Sequence, residues 1–491
     1  MNTNIQNISS WICRLACAAA LAVTTACSNS FVDIRPESST TTDLLYQTDS
    51  DFEDAVNAVY TALQTQYGDF WIFADVPGED VTQEVVKNDP WYLADVFAMQ
   101  DNTPVLATTW SNYYVAITRA NLVLHHITEL DEEALRQRDR HIGEARFLRA
   151  LAYFDLVRIF GAVPKVTAPL TTQEAYTLPR QSVEQIYNDV IIPDLTAAAG
   201  MLPPSHGGAD LGRATSGAAK ALLGRVHLTL GDFGRAEEML AEVTTMGYAL
   251  LPDYNDLFDY SKNEHHSEYI FDIEYEESLG NQGSIFTHRF MPNSSAMADH
   301  YGIRGGELAE TFSPTPVLRA LFEPDDKRRD VTVGTPGGFT NSQGEFVRLP
   351  AATSQNYTLK YVTPVNVVGD SRANWKVIRY ADVLLMYAEA LNENGKTVAA
   401  IEQLNQVRQR AGLSPAATGS RDEVRELIYR ERRLELSFEG HRWFDLVRTG
   451  RAFETMQSAG MQSFMTLFPV PLSQVQIINN PEIFPQNPGY N

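Results

Sequence analysis

The sequence predicts a mainly α-helical protein: tetratricopeptide-like helix pairs form a scaffold, and an irregular, loop-rich lobe containing short strands is laid over it. Three observations predict this. Apolar residues recur at helical spacing in both halves, as with Phe52, Val56, Val59 and Leu63. Two segments, 216–243 and 381–413, each read as helix, short Gly-containing turn, helix. Between about 251 and 375 that periodicity fails, and Gly, Pro, Asn and aromatic residues interleave instead. Composition agrees, since 44% hydrophobic and 21% charged residues fit a globular chain, and 491 residues can bury a large core.

The first residues read as an export signal. Residues 1–26 hold no Asp or Glu, carry Arg14 as their only basic residue and run apolar over 15–23. That run is too short to span a bilayer but fits the h-region of a secretory signal, with Thr24, Thr25 and Ala26 forming a small-residue cleavage site before Cys27. A mature chain beginning at Cys27 resembles a bacterial lipoprotein, whose first thiol is lipidated, although Thr24 stands where such a signal usually has Leu. The alternative is a secreted chain cut nearby. Cys13, Cys17 and Cys27 are the only cysteines, so the mature chain can form no internal disulfide. The net charge of -23 becomes -24 when Arg14 leaves, a balance that argues against nucleic acid and anionic lipid as partners. Membrane attachment would then rest on the lipid.

After Cys27 the chain reads as a tether and extended arm over 27–49, with Pro36 holding Arg35 away from helix. A helix over 50–66 follows, with acidic residues in its first turn and Gly68 beyond its end. Two more read at "TWSNYYVAITRANLVLHHITEL" and "RQRDRHIGEARFLRALAYFDLVRIFG", the second capped by Gly161, with Asp155 placed to pair with Arg158. In 216–243 the small residues Ala219 and Gly224 fall where two helices would press together, and Ala236 follows the turn at Gly231. Phe-Asp-Leu-Val-Arg occurs twice, at 154–158 and 444–448. The domains so read are a helical half over 50–250, an irregular lobe over 251–375 and a second helical half over 376–491. Within the lobe, "EYIFDIEY" and "NYTLKYV" read as strands.

In order along the chain, "CSNSFVDIRP", "GEARFLRALAYFDLVRIFGAVP", "ALLGRVHLTLGDFGRAEEML", "VIRYADVLLMYAEALNENG", "IYRERRLELSFEGHRWFDLVRTG" and "LFPVPLSQVQIINNPEIFPQNPGY" resemble the SusD/RagB-like outer-membrane glycan-binding lipoproteins of Bacteroidetes. The resemblance covers nearly the whole mature chain. It implies four tetratricopeptide-like helix pairs carrying a variable glycan-binding face, a lipid-anchored place on the outer membrane, and a SusC-like TonB-dependent transporter as partner, over which the protein sits as a lid. Both copies of Phe-Asp-Leu-Val-Arg match framework segments of that family.

A glycan presents apolar C–H faces and a rim of hydroxyls, so its binder needs exposed aromatic rings beside Asp, Asn or Arg. Candidates are Trp71 and Asp80 in "GDFWIFADVPGED", Trp91 and Tyr92 in "NDPWYLADV", and Phe286, Tyr301 and Arg304 in the lobe. Any one of them could instead pack under its own loop. Trp443 reads as core. Three other functions are compatible with such a chain: a glycoside hydrolase with paired carboxylates, a receptor for peptide, and a scaffold that binds only protein. The chain holds no HExxH, GxSxG, P-loop or dinucleotide fingerprint, so no cofactor is expected. The adjacent pairs His125–His126 and His265–His266 should diverge and lack metal-ligand spacing, so no metal site is expected. Glu431 and Glu435, one turn apart among arginines, read as a salt-bridged helix face.

Overall fold

Helix α1 (Asp49–Tyr67) starts on a reciprocal cap. The Thr48 hydroxyl accepts from the Asp51 amide while the Asp51 carboxylate accepts from the Thr48 amide, and Phe52, Val56, Val59 and Leu63 are buried along one face. The computed structural model describes residues 45–83, 89–262, 264–280 and 282–490, so Cys27 and the export signal lie outside the described residues. The chain divides into residues 1–47 and a compact unit of residues 48–491.

Within that unit α2 (Trp71–Ala74), α3 (Pro90–Asp95), α4 (Pro104–Ile127), α5 (Arg138–Phe160), α6 (Ile192–Met201), α7 (Ser216–Thr229) and α8 (Phe233–Thr244) precede the middle segment. Short α9 (Phe286–Phe290) and α10 (Ser295–Tyr301) lie inside it. Then come α11 (Tyr380–Glu393), α12 (Thr397–Arg410), α13 (Arg421–Glu435) and α14 (Arg442–Arg448). The long helices pack in series: α1 on α4, α4 on α5, α5 on α6, α6 on α7, α7 on α8, α8 on α11, and α11 on both α12 and α13. The α7/α8 and α11/α12 pairs are the two expected hairpins. Gly224 shows why the first closes so tightly, since a Cβ there would stand 2.7 Å from the Leu240 side chain. Gly161 ends α5 at φ 72°, a conformation that favours glycine, and its amide donates to the Val157 carbonyl.

The repeated pentapeptide is structural, and its two copies meet. The Arg158 guanidinium lies between the Phe154 ring of its own copy, 3.9 Å from the centroid, and the Phe444 ring of the other, 4.0 Å away. Asp155 pairs with Arg158 as expected, and it also accepts from Tyr67 Oη at 2.8 Å and Tyr113 Oη at 3.0 Å. In the second copy Asp445 accepts from Arg448 Nε at 2.8 Å and from Arg432 Nε at 3.1 Å.

Among the described residues eight short strands occur: β1 (Val81–Thr82), β2 (Val163–Pro164), β3 (Arg180–Gln181), β4 (Tyr269–Ile273), β5 (Ser313–Pro314), β6 (Gly338–Thr340), β7 (Phe346–Arg348) and β8 (Trp375–Arg379). They pair two by two and antiparallel: β1 with β5, β2 with β3, β4 with β8, and β6 with β7. The strand expected at "EYIFDIEY" is β4. That expected at "NYTLKYV" is not a strand. Its backbone bonds are scattered, with the Gly334 amide donating to Tyr357 O and the Leu359 amide to Val331 O, and Tyr357, Lys360 and Tyr361 are all buried, which no alternating pattern allows. Met291, Met297, Ile303, Phe339, Leu349 and Tyr357 give this middle region a hydrophobic cluster of its own.

Glu431 and Glu435 of α13 are salt-bridged as expected, but the bridges are interior and reach cations from other segments of the chain. Arg379, at the end of β8, donates through Nε to Glu439 Oε2 (2.7 Å) and through Nη1 to Glu268 Oε1 (2.9 Å), and it pairs with Glu435. Arg410 binds Glu268 and Glu435, Arg328 binds Asp326, Glu431 and Glu435, and Lys360 Nζ donates to Glu439 Oε1 at 2.7 Å. All of these side chains are buried. Burial alone would raise the Glu435 carboxyl, but the guanidinium groups of Arg410, Arg379 and Arg328 hold it far below its ordinary value.

Removing one partner from such a set leaves uncompensated buried charge. Arg379→Met should therefore lower stability by about 3–5 kcal/mol in urea denaturation. The pH dependence follows from the depressed Glu435 carboxyl: its contribution is complete above the carboxyl's unfolded value and is lost as pH falls below it toward the folded value. Glu435→Gln should accordingly flatten the loss of stability measured on acidification below about pH 4.5.

Candidate functional site

Trp71 and Trp91 come together where the chain leaves α1. Trp71 is fully buried in α2; its Nε1–H donates to the Gly68 carbonyl at 3.0 Å, and Phe290 and Phe312 meet its ring edge-on at 5.2 and 5.6 Å. Trp91 is the second residue of α3, after Pro90, whose fixed φ suits the first helical position. Its indole stacks on Trp71 with centroids 6.0 Å apart and planes 27° apart, and the residue as a whole is only partly buried. The inner side of α3 is anchored from below: Leu93, Ala94 and Phe97 close over Trp443, Met465 and Phe468, leaving a cavity of only about 20 Å³. Trp443 is core, as its sequence context suggests.

Two polar groups complete this patch. The Arg289 guanidinium, carried by α9, lies 5.1 Å from the Trp91 centroid and 6.0 Å from that of Trp71. Its Nη1 donates to Asp69 Oδ1 at 3.2 Å. Desolvation pushes the Asp69 carboxyl above its ordinary value, and Arg289 opposes that shift. The patch thus offers a ring for C–H faces, guanidinium donors and a carboxylate acceptor within a few ångströms, a set matched to a polyhydroxylated ring. Tyr92 is the next residue of α3 and is also partly exposed.

The other sequence candidates lie elsewhere. Asp80, expected at the ligand, is 2% exposed and accepts from Arg433 Nε at 2.9 Å, clasping the loop before β1 to α13. Phe286 is 0% exposed and sits among Phe290, Tyr275, Tyr361 and Trp375. Trp71 supports a platform without being one. These three corrections share a cause, because in each case a partner distant in sequence covers the side chain. Tyr301 is half-buried beside Phe339 and His300, and burial pushes its hydroxyl up to about 12. Arg304 is exposed but tied to its own turn, donating to Ile303 O at 3.0 Å and pairing with Asp299 at 3.1 Å. Arg289 and Asp69 escaped the sequence reading; the only signal was Asp69 standing two residues before Trp71.

A second, polar concavity of about 380 Å³ lies between α1 and β4, lined by Glu53, Tyr60, Gln64, Arg213, Asp272 and Glu274. The two histidine pairs behave differently. His265 Nε2 meets Glu274 Oε1 at 2.6 Å, and His266 is pushed down to about 4 by burial and the charges of Lys376 and Arg379. His125 and His126 do not diverge as expected; their ring nitrogens converge with a Glu129 oxygen to within 4.8 Å of one another. Among the described residues no helix is long and apolar enough to cross a membrane.

Comparison with known proteins places this geometry. Residues 257–490 match the family model described as "SusD family", and residues 30–228 match one described as "Starch-binding associating with outer membrane". The chain is 29% identical over 490 residues to SusD-like protein P38 of Formosa agariphila, covering 89% of this chain and 91% of that protein. It is 25% identical to the starch-binding protein SusD of Bacteroides thetaiotaomicron over 76% of each. A solved laminarin-binding SusD-like protein superposes with a TM-score of 0.77 at 28% identity, covering 91% of this chain and all of that one.

The different burial of the two stacked indoles is testable. Trp71→Ala should cost about 3–5 kcal/mol in chemical denaturation, as for a fully buried aromatic side chain. Trp91→Ala should cost clearly less, because Trp91 is only partly buried.

Proposed function

The chain belongs to the SusD/RagB family, and from that premise we propose that it is a noncatalytic cell-surface receptor that binds oligosaccharide or polysaccharide and delivers it to a TonB-dependent outer-membrane transporter. The observation that carries this reading is the Trp91 platform with Arg289 and Asp69 beside it. A sugar ring laid on the indole would shed water from its C–H face, while the guanidinium and carboxylate would meet adjacent hydroxyls as donor and acceptor. Trp91 and Tyr92 are the contact residues of this proposal, and Arg289 and Asp69 join them. Tyr301 and Arg304 stay as candidates for a longer chain reaching the middle lobe.

Two relatives support glycan as the ligand, since their names record binding of laminarin and of starch. The outer-membrane location draws support from the description of the family model matched by residues 30–228. Lipidation at Cys27 and docking over a SusC-like partner complete the proposal. Transport energy would come from that partner, and this chain would contribute affinity and a lid.

The test is a titration of the purified protein against a panel of polysaccharides and peptides, following binding heat and newly formed reducing ends in the same samples. Saturable binding to a polysaccharide without new ends is expected. New reducing ends would make the protein a hydrolase, and saturable binding to peptides alone would make it a peptide receptor. Trp91→Ala should weaken glycan binding tenfold or more, about 1.4 kcal/mol, with an unchanged helical circular dichroism spectrum. An unchanged affinity would move the site away from Trp91.

A further inference from the structure

We propose that the C-terminal turn of α4 carries a binding site for a divalent transition-metal ion of the zinc class, formed by His125, His126 and Glu129. His125 Nε2 lies 3.5 Å from Glu129 Oε1, and His126 Nδ1 lies 2.8 Å from Glu129 Oε2. One ligand atom from each residue falls within 4.8 Å of the other two. Ligands held about 2.0–2.1 Å from a tetrahedral zinc ion stand roughly 3.3 Å apart, so little movement separates this arrangement from a coordinated one.

Adjacent residues on a helix normally point apart. Here the two imidazole planes cross at 64° with centroids 5.1 Å apart, so that one ring can offer its far nitrogen and the other its near nitrogen to the same point. Glu129, four residues after His125 and three after His126, brings its carboxylate to that point from the next turn. Two features of the site favour a cation. The last carbonyls of α4 give the helix end a partial negative charge. The Thr128 hydroxyl donates to the His125 carbonyl at 2.7 Å, bracing the turn on which the ligands stand.

The donor set selects the ion. Imidazole nitrogen suits zinc, copper and nickel, whereas calcium and magnesium require mostly oxygen ligands. The His125 and Glu129 side chains are 49% and 56% exposed, which opens a path from solvent and leaves a fourth coordination position for water. Without metal the same atoms form imidazole–carboxylate pairs, and that of His125 lies between two exposed side chains, a kind that contributes little to stability. The site shares no residue with the Trp91 platform.

The test is calorimetric titration of the purified protein with zinc chloride at pH 7.5, with calcium chloride as control, on the parent and on the variants His126→Ala and Glu129→Gln. One equivalent of zinc should bind saturably, at least tenfold more weakly in each variant. Calcium should give no saturable heat. Absence of saturable zinc binding by the parent overturns the proposal, as does zinc binding unchanged in both variants or calcium binding of equal strength that the same variants abolish.

Discussion

Arg379 holds the molecule together from its interior. It ends β8 and immediately precedes α11, so its guanidinium reaches Glu268 before β4, Glu435 in α13 and Glu439 beyond it. Arg410 at the end of α12 shares two of those carboxylates, while Arg328 and Lys360 reach the same acidic cluster from the irregular region. Each charge would be costly alone in a dry interior and is tolerable only because the set is complete. Helices α11 to α13 and the middle region are therefore joined at one polar point, where loss of any member exposes the others to an uncompensated cost. Lys360 shows the strain of that position, since burial pulls its ammonium down to about 8 even though Glu439 favours its charge.

This joint explains what could be read from the sequence and what could not. Helix positions were legible because periodicity and stops are local: Phe52, Val56, Val59 and Leu63 and the Gly161 stop all act within a few residues. The close approach at Gly224 was legible for the same reason. Partners supplied by distant segments were not. Glu431 and Glu435 read as a salt-bridged face of their own helix, but their burial and their partners Arg328, Arg379 and Arg410 come from elsewhere in the chain. Asp80 read as a ligand contact because its partner Arg433 lies 353 residues away. In the middle region even strand assignment failed at "NYTLKYV", since isolated backbone bonds to single neighbours leave no periodic mark on sequence.

The candidate site inherits its rigidity from that same packing. Trp91 can act as a platform only if it is held still, and what holds it is Trp71, itself wedged by Phe290 and Phe312 from the middle region. Arg289 comes from the same region, on α9. The site is therefore a joint product of the first helical turns and the lobe, and half of it was legible: the aromatic pair was visible near "DPWYLAD", while the guanidinium and carboxylate were not. Sugars gain little per contact, so a ring and hydrogen-bonding groups already fixed in place avoid the ordering cost that would consume that gain.

The carboxylates bear on whether binding or catalysis is the better use of this fold. A general acid in a glycosidase needs a carboxyl raised toward neutrality and open to the substrate. Among the described residues Asp272 and Asp95 are pushed up to about 6, the first 4% exposed and paired with Lys376, the second accepting from the Gln83 amide at 2.9 Å, while Asp75, raised further by burial, accepts from the Gly440 amide at 3.0 Å. Asp69, beside Trp91, is raised as well, but its Arg289 partner at 3.2 Å favours the charged form and opposes its service as a proton donor. An ionised acceptor next to a cationic donor suits reversible hydrogen bonding to hydroxyls. The electrostatics beside Trp91 thus fit the proposed binding of a glycan.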